Sequence, residues 1–122
     1  MSEQVKFEEL KNKLLNDLKK IGICTNDFDL VLKSYSKTMY GNYSPRHKRI
    51  TLYVYSDVDC LREFSYNDLL HTLIHELVHH LQYQDPEFKR IKGVMHNPQF
   101  YVKYNYLVRR ARVLKLLKKR RK

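Results

Sequence analysis

His75-Glu76-Leu77-Val78-His79 sits inside the most regular apolar stretch of the chain. Leu69, Leu70, Leu73, Ile74, Leu77, Val78 and Leu81 recur at helical spacing and form a broad apolar face. Ser65 supplies an N-cap, and Asp68 three residues later resembles a capping box. The segment from about Tyr66 to Tyr83 is therefore predicted to be a largely buried helix. A buried helix that carries two histidines and a glutamate must compensate their desolvation. The four-residue spacing suggests how. It sets both imidazoles on one face, one turn apart, where they can share one zinc ion at roughly 2.0–2.1 Å each. Glu76 then lies beside the ion, placed to take a proton from an attacking water. H-E-x-x-H fixes only three positions and also occurs by chance, so the apolar context carries much of the argument.

A catalytic zinc site usually has three protein ligands, and three residues compete for the third place. Asp85 lies six residues after His79, as in the H-E-x-x-H-x-x-G-x-x-D pattern of one protease group, but Gln82 stands where that pattern turns on glycine. Gln82 favours a helix that continues and carries Asp85 away. Glu87 would fit a scheme in which a distal glutamate normally comes from a separate helix. His96 is favoured. It precedes Asn97-Pro98, an N-cap followed by proline at the first helical position, and the connection before it is long enough for the chain to reverse. His71 is one turn before His75 on nearly the same face, either supporting the site or solvated. His80 points away by about 100°. Neither is assigned to the metal, and His47 reads as turn surface.

The rest of the chain reads as one domain over residues 1–122. Phe7, Leu10, Leu14, Leu15 and Leu18 make residues 3–20 an amphipathic helix that ends near Gly22. Residues 28–36 and 38–44 are candidate strands, the second holding Gly41 as a bulge or close-approach site. Ser44-Pro45-Arg46-His47-Lys48 is a turn. Residues 50–55 are the clearest strand, with Ile50, Leu52 and Val54 on one side and Thr51, Tyr53 and Tyr55 on the other. Phe100, Tyr104, Leu107, Val108, Ala111, Leu114 and Leu117 stripe a last helix.

Composition narrows the setting. No apolar run is long enough to span a membrane, and no apolar leader follows the polar start Met1-Ser2-Glu3-Gln4, so a cytoplasmic protein is expected. Cys24 and Cys60 form no C-x-x-C pair and read as small, partly buried hydrophobes. The net charge of +11 is concentrated at one end. Lys103, Arg109, Arg110, Arg112, Lys115, Lys118, Lys119, Arg120, Arg121 and Lys122 occur with no acid among them. A one-signed segment over about 109–122 points to an anionic partner, nucleic acid first, contacted through phosphates. The same cations also suit a helix C-terminus.

His75-Glu76-Leu77-Val78-His79 followed by His96-Asn97-Pro98-Gln99-Phe100 resembles the SprT-like family of zinc metalloproteases, which includes the Spartan proteases. The second set is similar to the family's H-G-x-x-F/W element, and the likeness extends over most of residues 5–108. It implies an α+β, zincin-like fold: an N-terminal helix, a small antiparallel or mixed sheet of about three strands, the motif helix and a long basic C-terminal helix. It further implies one Zn²⁺ on His75, His79 and His96, Glu76 as general base and acid, and a protein substrate. Spartan proteases cleave proteins attached to DNA, which the basic segment would suit. Asn97 departs from the family's glycine, although asparagine tolerates a left-handed backbone better than most residues. The basic helix takes the place of the zinc ribbon that many relatives carry.

Within that mechanism, Tyr101 or Tyr104 can supply an oxyanion donor, and an exposed strand edge from residues 38–55 can pair an extended substrate. Two rival functions use the same residues: a protease that cleaves one specific repressor, and a basic DNA-binding protein whose zinc is structural or whose catalysis is lost.

Overall fold

The computed structural model describes residues 3–84 and 96–118. Its elements run α1 (Glu3–Lys20), β1 (Asp29–Lys33), β2 (Gly41–Ser44), β3 (Arg49–Tyr53), α2 (Tyr66–Gln84) and α3 (Pro98–Val113). The architecture is α+β, three helices on a three-stranded mixed sheet of order β1-β3-β2. β1 runs parallel to β3 with Leu30 opposite Ile50, and β2 runs antiparallel to β3 with Gly41 opposite Leu52.

Each element arises from local chemistry. Ser65 Oγ accepts from the Asp68 amide and starts α2. Asn97 Oδ1 accepts from the Phe100 amide, with Pro98 in the first turn, and starts α3. Pro45 to Lys48 form the β2–β3 turn, where Lys48 takes a φ of 49°. The strands are shorter than the sequence pattern suggests. β1 stops at Lys33 and β2 begins only at Gly41, while Ser36 Oγ accepts from the Thr38 and Met39 amides between them.

The core lies where α2 crosses beneath the sheet. Leu14 and Leu18 from α1, Leu30, Ile50 and Leu52 from the sheet, the apolar face of α2, and Phe100, Leu107 and Ala111 from α3 meet there. Thr51 is buried too, although it lies on the opposite side of β3 from Ile50 and Leu52. Tyr66 donates to the buried Asp17 carboxylate and ties α2 to α1; burial and this aspartate raise the Tyr66 pKa. The Tyr43 hydroxyl and His80 Nδ1 are hydrogen-bonded at 2.8 Å, which ties β2 to α2. Burial lowers the His80 pKa and favours the neutral ring.

The long C-terminal helix is shorter than expected. α3 ends at Val113, and Lys115 adopts a φ of 60°. The Leu114 and Leu116 amides return to the Arg110 and Ala111 carbonyls, which closes the helix end. Leu117 reaches the core after this reversal, and the Lys118 amide donates to Asn67 Oδ1 at 2.7 Å. Leu117 of the predicted stripe is thus buried without a continuous helix, whereas Leu114 of the same stripe is exposed. Cys24 is exposed rather than partly buried; Cys60 is half-buried. No helix of the described residues is long and apolar enough to cross a membrane.

Candidate metal centre

α2 presents His75 and His79 one turn apart, and the entrance of α3 brings His96 against them. The His96 Nε2 lies 3.1 Å from the Nε2 of His75 and 3.1 Å from that of His79. Two nitrogens at zinc-binding distance from one ion, at a tetrahedral angle, would be about 3.3 Å apart. The three imidazoles can therefore hold a metal ion, with all three ligand atoms within 4.8 Å of one another. Imidazole donors suit zinc, copper, iron and nickel alike.

Two features hold this geometry. Phe100 is fully buried behind the cluster, its ring centre 5.0, 4.7 and 4.9 Å from those of His75, His79 and His96. His79 Nδ1 donates to the buried Gln82 Oε1 at 2.8 Å, which leaves Nε2 as the ligand nitrogen. In the sequence, Gln82 matters only as the absence of a glycine. The structure supports the continuing helix, since α2 runs to Gln84, and adds this second role. A signal for it exists in the sequence: residues 79 and 82 are three apart on one helix and share a face.

Burial sets the electrostatics of the cluster. Burial pushes His75 down from 6.5 to about 4, with His79 and His96 contributing. Burial also lowers His79, partly offset by Gln82. Both shifts favour the neutral form that ligates metal. Burial lifts Glu76 from 4.5 to about 7. The residue is 8% exposed, and its Oε2 has no hydrogen-bond partner among the described residues. An orphaned carboxylate oxygen beside three converging imidazoles is what an adjacent cation would compensate.

Asn97 takes φ −82° and ψ 173°, an extended conformation. No left-handed backbone is needed after His96, so an N-cap asparagine serves in place of glycine. Asp85 and Glu87 lie outside the described residues. His71 is buried rather than solvated, its Nδ1 hydrogen-bonded to the Tyr104 hydroxyl at 3.3 Å. His80 points to Tyr43 and Phe28, away from the cluster.

His75 and Glu76 line a cleft of about 760 Å³ whose walls include Tyr40, Gly41, Phe64 and Tyr104. The approach at Gly41 is close: a Cβ there would lie 2.7 Å from Thr72 Cγ2. Within residues 38–55, β3 is paired on both sides, so only β2 offers a strand edge. Lys118 also lines the cleft. Arg109 and Arg112 lie exposed on α3, with Lys115 and Lys118 exposed beyond it. Arg110 is partly structural, its Nε donating to the Ile21 carbonyl at 3.1 Å. Lys119, Arg120 and Arg121 lie outside the described residues.

The fold is similar to that of Wss1 from Saccharomyces cerevisiae, at a TM-score of 0.70 and 20% identity. The similarity covers 93% of this chain and 82% of Wss1. No protein-family profile matches the chain, and no curated protein matches it by sequence. The mixed sheet with its three helices is thus a known arrangement, reached here with a distant sequence.

Proposed function

We propose that this chain is a zinc-dependent peptidase of the SprT-like kind, acting on protein substrates. The observation that carries the reading is the convergence of three imidazole Nε2 atoms beside the buried Glu76 carboxylate, at the wall of an open cleft. The fold shared with Wss1 supports the same reading.

His75, His79 and His96 would hold the ion, with Gln82 and Phe100 keeping the rings in place. Bound there, zinc would supply a Lewis acid for the scissile carbonyl and lower the pKa of water toward about 7. Glu76 takes the proton of the attacking water as its oxygen bonds to the carbonyl carbon. The C–N bond then breaks, and Glu76 returns that proton to the leaving amine. A carboxyl lifted by burial toward neutrality can both accept and release a proton. An extended substrate would pair along β2, the outer strand whose Gly41 lines the cleft.

The exposed cations Arg109, Arg112, Lys115 and Lys118 would contact nucleic-acid phosphates without reading sequence. Substrates held on DNA would then be presented near the cleft that Lys118 lines.

The test is cleavage of casein, and of a DNA-bound basic protein, by wild type and Glu76→Gln. The variant is expected to keep its metal and lose cleavage of both; full cleavage would remove Glu76 from the mechanism. A structural site in a DNA-binding protein would instead leave DNA binding as the sole activity, with neither protein cleaved by wild type.

A further inference from the structure

We propose that Tyr40 and Phe64 set the sequence preference of this cleft, selecting a bulky apolar side chain within two residues of the scissile bond. The proposal rests on the peptidase reading above.

The two rings stand edge to face, with centroids 5.2 Å apart and an interplanar angle of 87°. Backbone hydrogen bonds hold both residues to one strand end. The Tyr53 amide donates to the Tyr40 carbonyl at 3.1 Å, and the Phe64 amide donates to the Val54 carbonyl at 2.9 Å. Tyr55 bridges Glu63 just beyond. The pair is therefore set in place before a substrate arrives. Tyr40 is nonetheless 68% exposed, an aromatic surface that a bound apolar group would remove from water.

The pair also stands close to the metal cluster along α2. Thr72 lies one turn before His75 and Glu76. Gly41, the neighbour of Tyr40, packs so tightly on Thr72 that a Cβ would come within 2.7 Å of its Cγ2. All six residues line the one cleft. From Thr72 to Glu76 the helix rises about 6 Å, the length of about two extended residues. Tyr104 lines the cleft as well, whereas Tyr101 is 48% exposed and does not line it.

The free strand edge aims a side chain into this space. In an antiparallel pair the N–H and C=O of one residue face the partner strand, and those of the next face away. The Tyr40 carbonyl faces β3, so the Gly41 groups lie on the free edge. A substrate residue paired with Gly41 shows its side chain on the side of the missing Cβ, over Thr72 and into the cleft. It meets the Thr72 methyl and the two rings there. An apolar side chain gains most from such walls, since a charged one would lose hydration against them.

The test uses zinc-loaded wild type, Tyr40→Ala and Tyr40→Phe with phosphinic peptides, whose tetrahedral phosphorus imitates the hydrated carbonyl. An all-alanine parent is compared with peptides carrying one Phe, or one Arg, at each of the two positions on either side of the phosphorus in turn. Affinity is read by calorimetry, and kcat/KM on matching quenched fluorescent peptides. In the wild type, Phe at one of these positions is expected to bind about 10–100-fold tighter than alanine, with a similar ratio in kcat/KM. Tyr40→Ala should reduce that ratio about tenfold, and Tyr40→Phe, which keeps the ring, should retain it. A merely structural role for Tyr40 would weaken every peptide alike and leave the ratio intact, which would overturn the proposal. No preference for Phe in the wild type, or a stronger one for Arg, would overturn it too. A wild type that binds the phosphinates but cleaves no peptide would end the peptidase reading, and the phosphinate ratios would still judge the aromatic pair.

Discussion

Replacing Glu76 by glutamine will stabilise the metal-free protein, and the gain will depend on pH in a defined direction. Burial lifts the Glu76 carboxyl from 4.5 to about 7 in the fold. Between those values the folded state binds more protons than the unfolded state, so this group makes stability fall as pH rises. Its destabilising contribution is small near pH 4.5 and complete above about pH 7. At about 1.4 kcal/mol per pH unit, the full displacement is worth about 3 kcal/mol. Glutamine cannot ionise and escapes that penalty. The assay is urea unfolding of chelator-treated wild type and Glu76→Gln at about pH 5 and about pH 8. The advantage of the variant is expected to grow by about 2–3 kcal/mol between the two pH values. An advantage independent of pH, or one that shrinks as pH rises, would mean that burial does not lift the Glu76 carboxyl in the folded protein. His75 works in the other direction: lowered from 6.5 to about 4, it costs stability as pH falls through that window. Because both proteins share it, the difference between them isolates Glu76.

Three other outcomes rest on particular contacts. Gly41→Ala places a Cβ 2.7 Å from Thr72 Cγ2; it is expected to cost about 1–3 kcal/mol in thermal melts, with Thr72→Ser in the same chain restoring part of the loss and an unchanged melting point speaking against the tight seam. Gln82→Ala removes the acceptor at His79 Nδ1; zinc affinity by competition with a chelating dye is expected to weaken about 10–100-fold, and no change would mean the ring is oriented by packing alone. Asn97→Ala removes the cap on the Phe100 amide; a loss of about 1 kcal/mol in urea unfolding is expected, whereas a neutral result would show that Pro98 alone starts α3.

The parts of the site that lie within one helix are legible in the sequence. The apolar spacing of Leu69 to Val78 marks the buried face of α2, and the four-residue interval of the histidines sets their shared direction. His96 is legible for a different reason. Asn97-Pro98 announces a helix start, and a residue at that entrance is held by the helix behind it. Less accessible are features set by tertiary packing. The parallel pairing of β1 with β3 depends on contacts between segments far apart in the chain, which no local pattern encodes. His71 is buried and meets the Tyr104 hydroxyl, which comes from another helix. The sequence pattern overextends α3 because Leu114 and Leu117 continue a helical spacing, whereas the left-handed turn at Lys115 delivers Leu117 to the core by another route.

The most direct test of the three-histidine centre is zinc per chain, measured by elemental analysis on wild type and His96→Ala side by side. About one zinc is expected in the wild type and a sharp fall in the variant. Full zinc in His96→Ala would place the third ligand elsewhere, and no zinc in the wild type after adding it back would contradict the metal centre altogether.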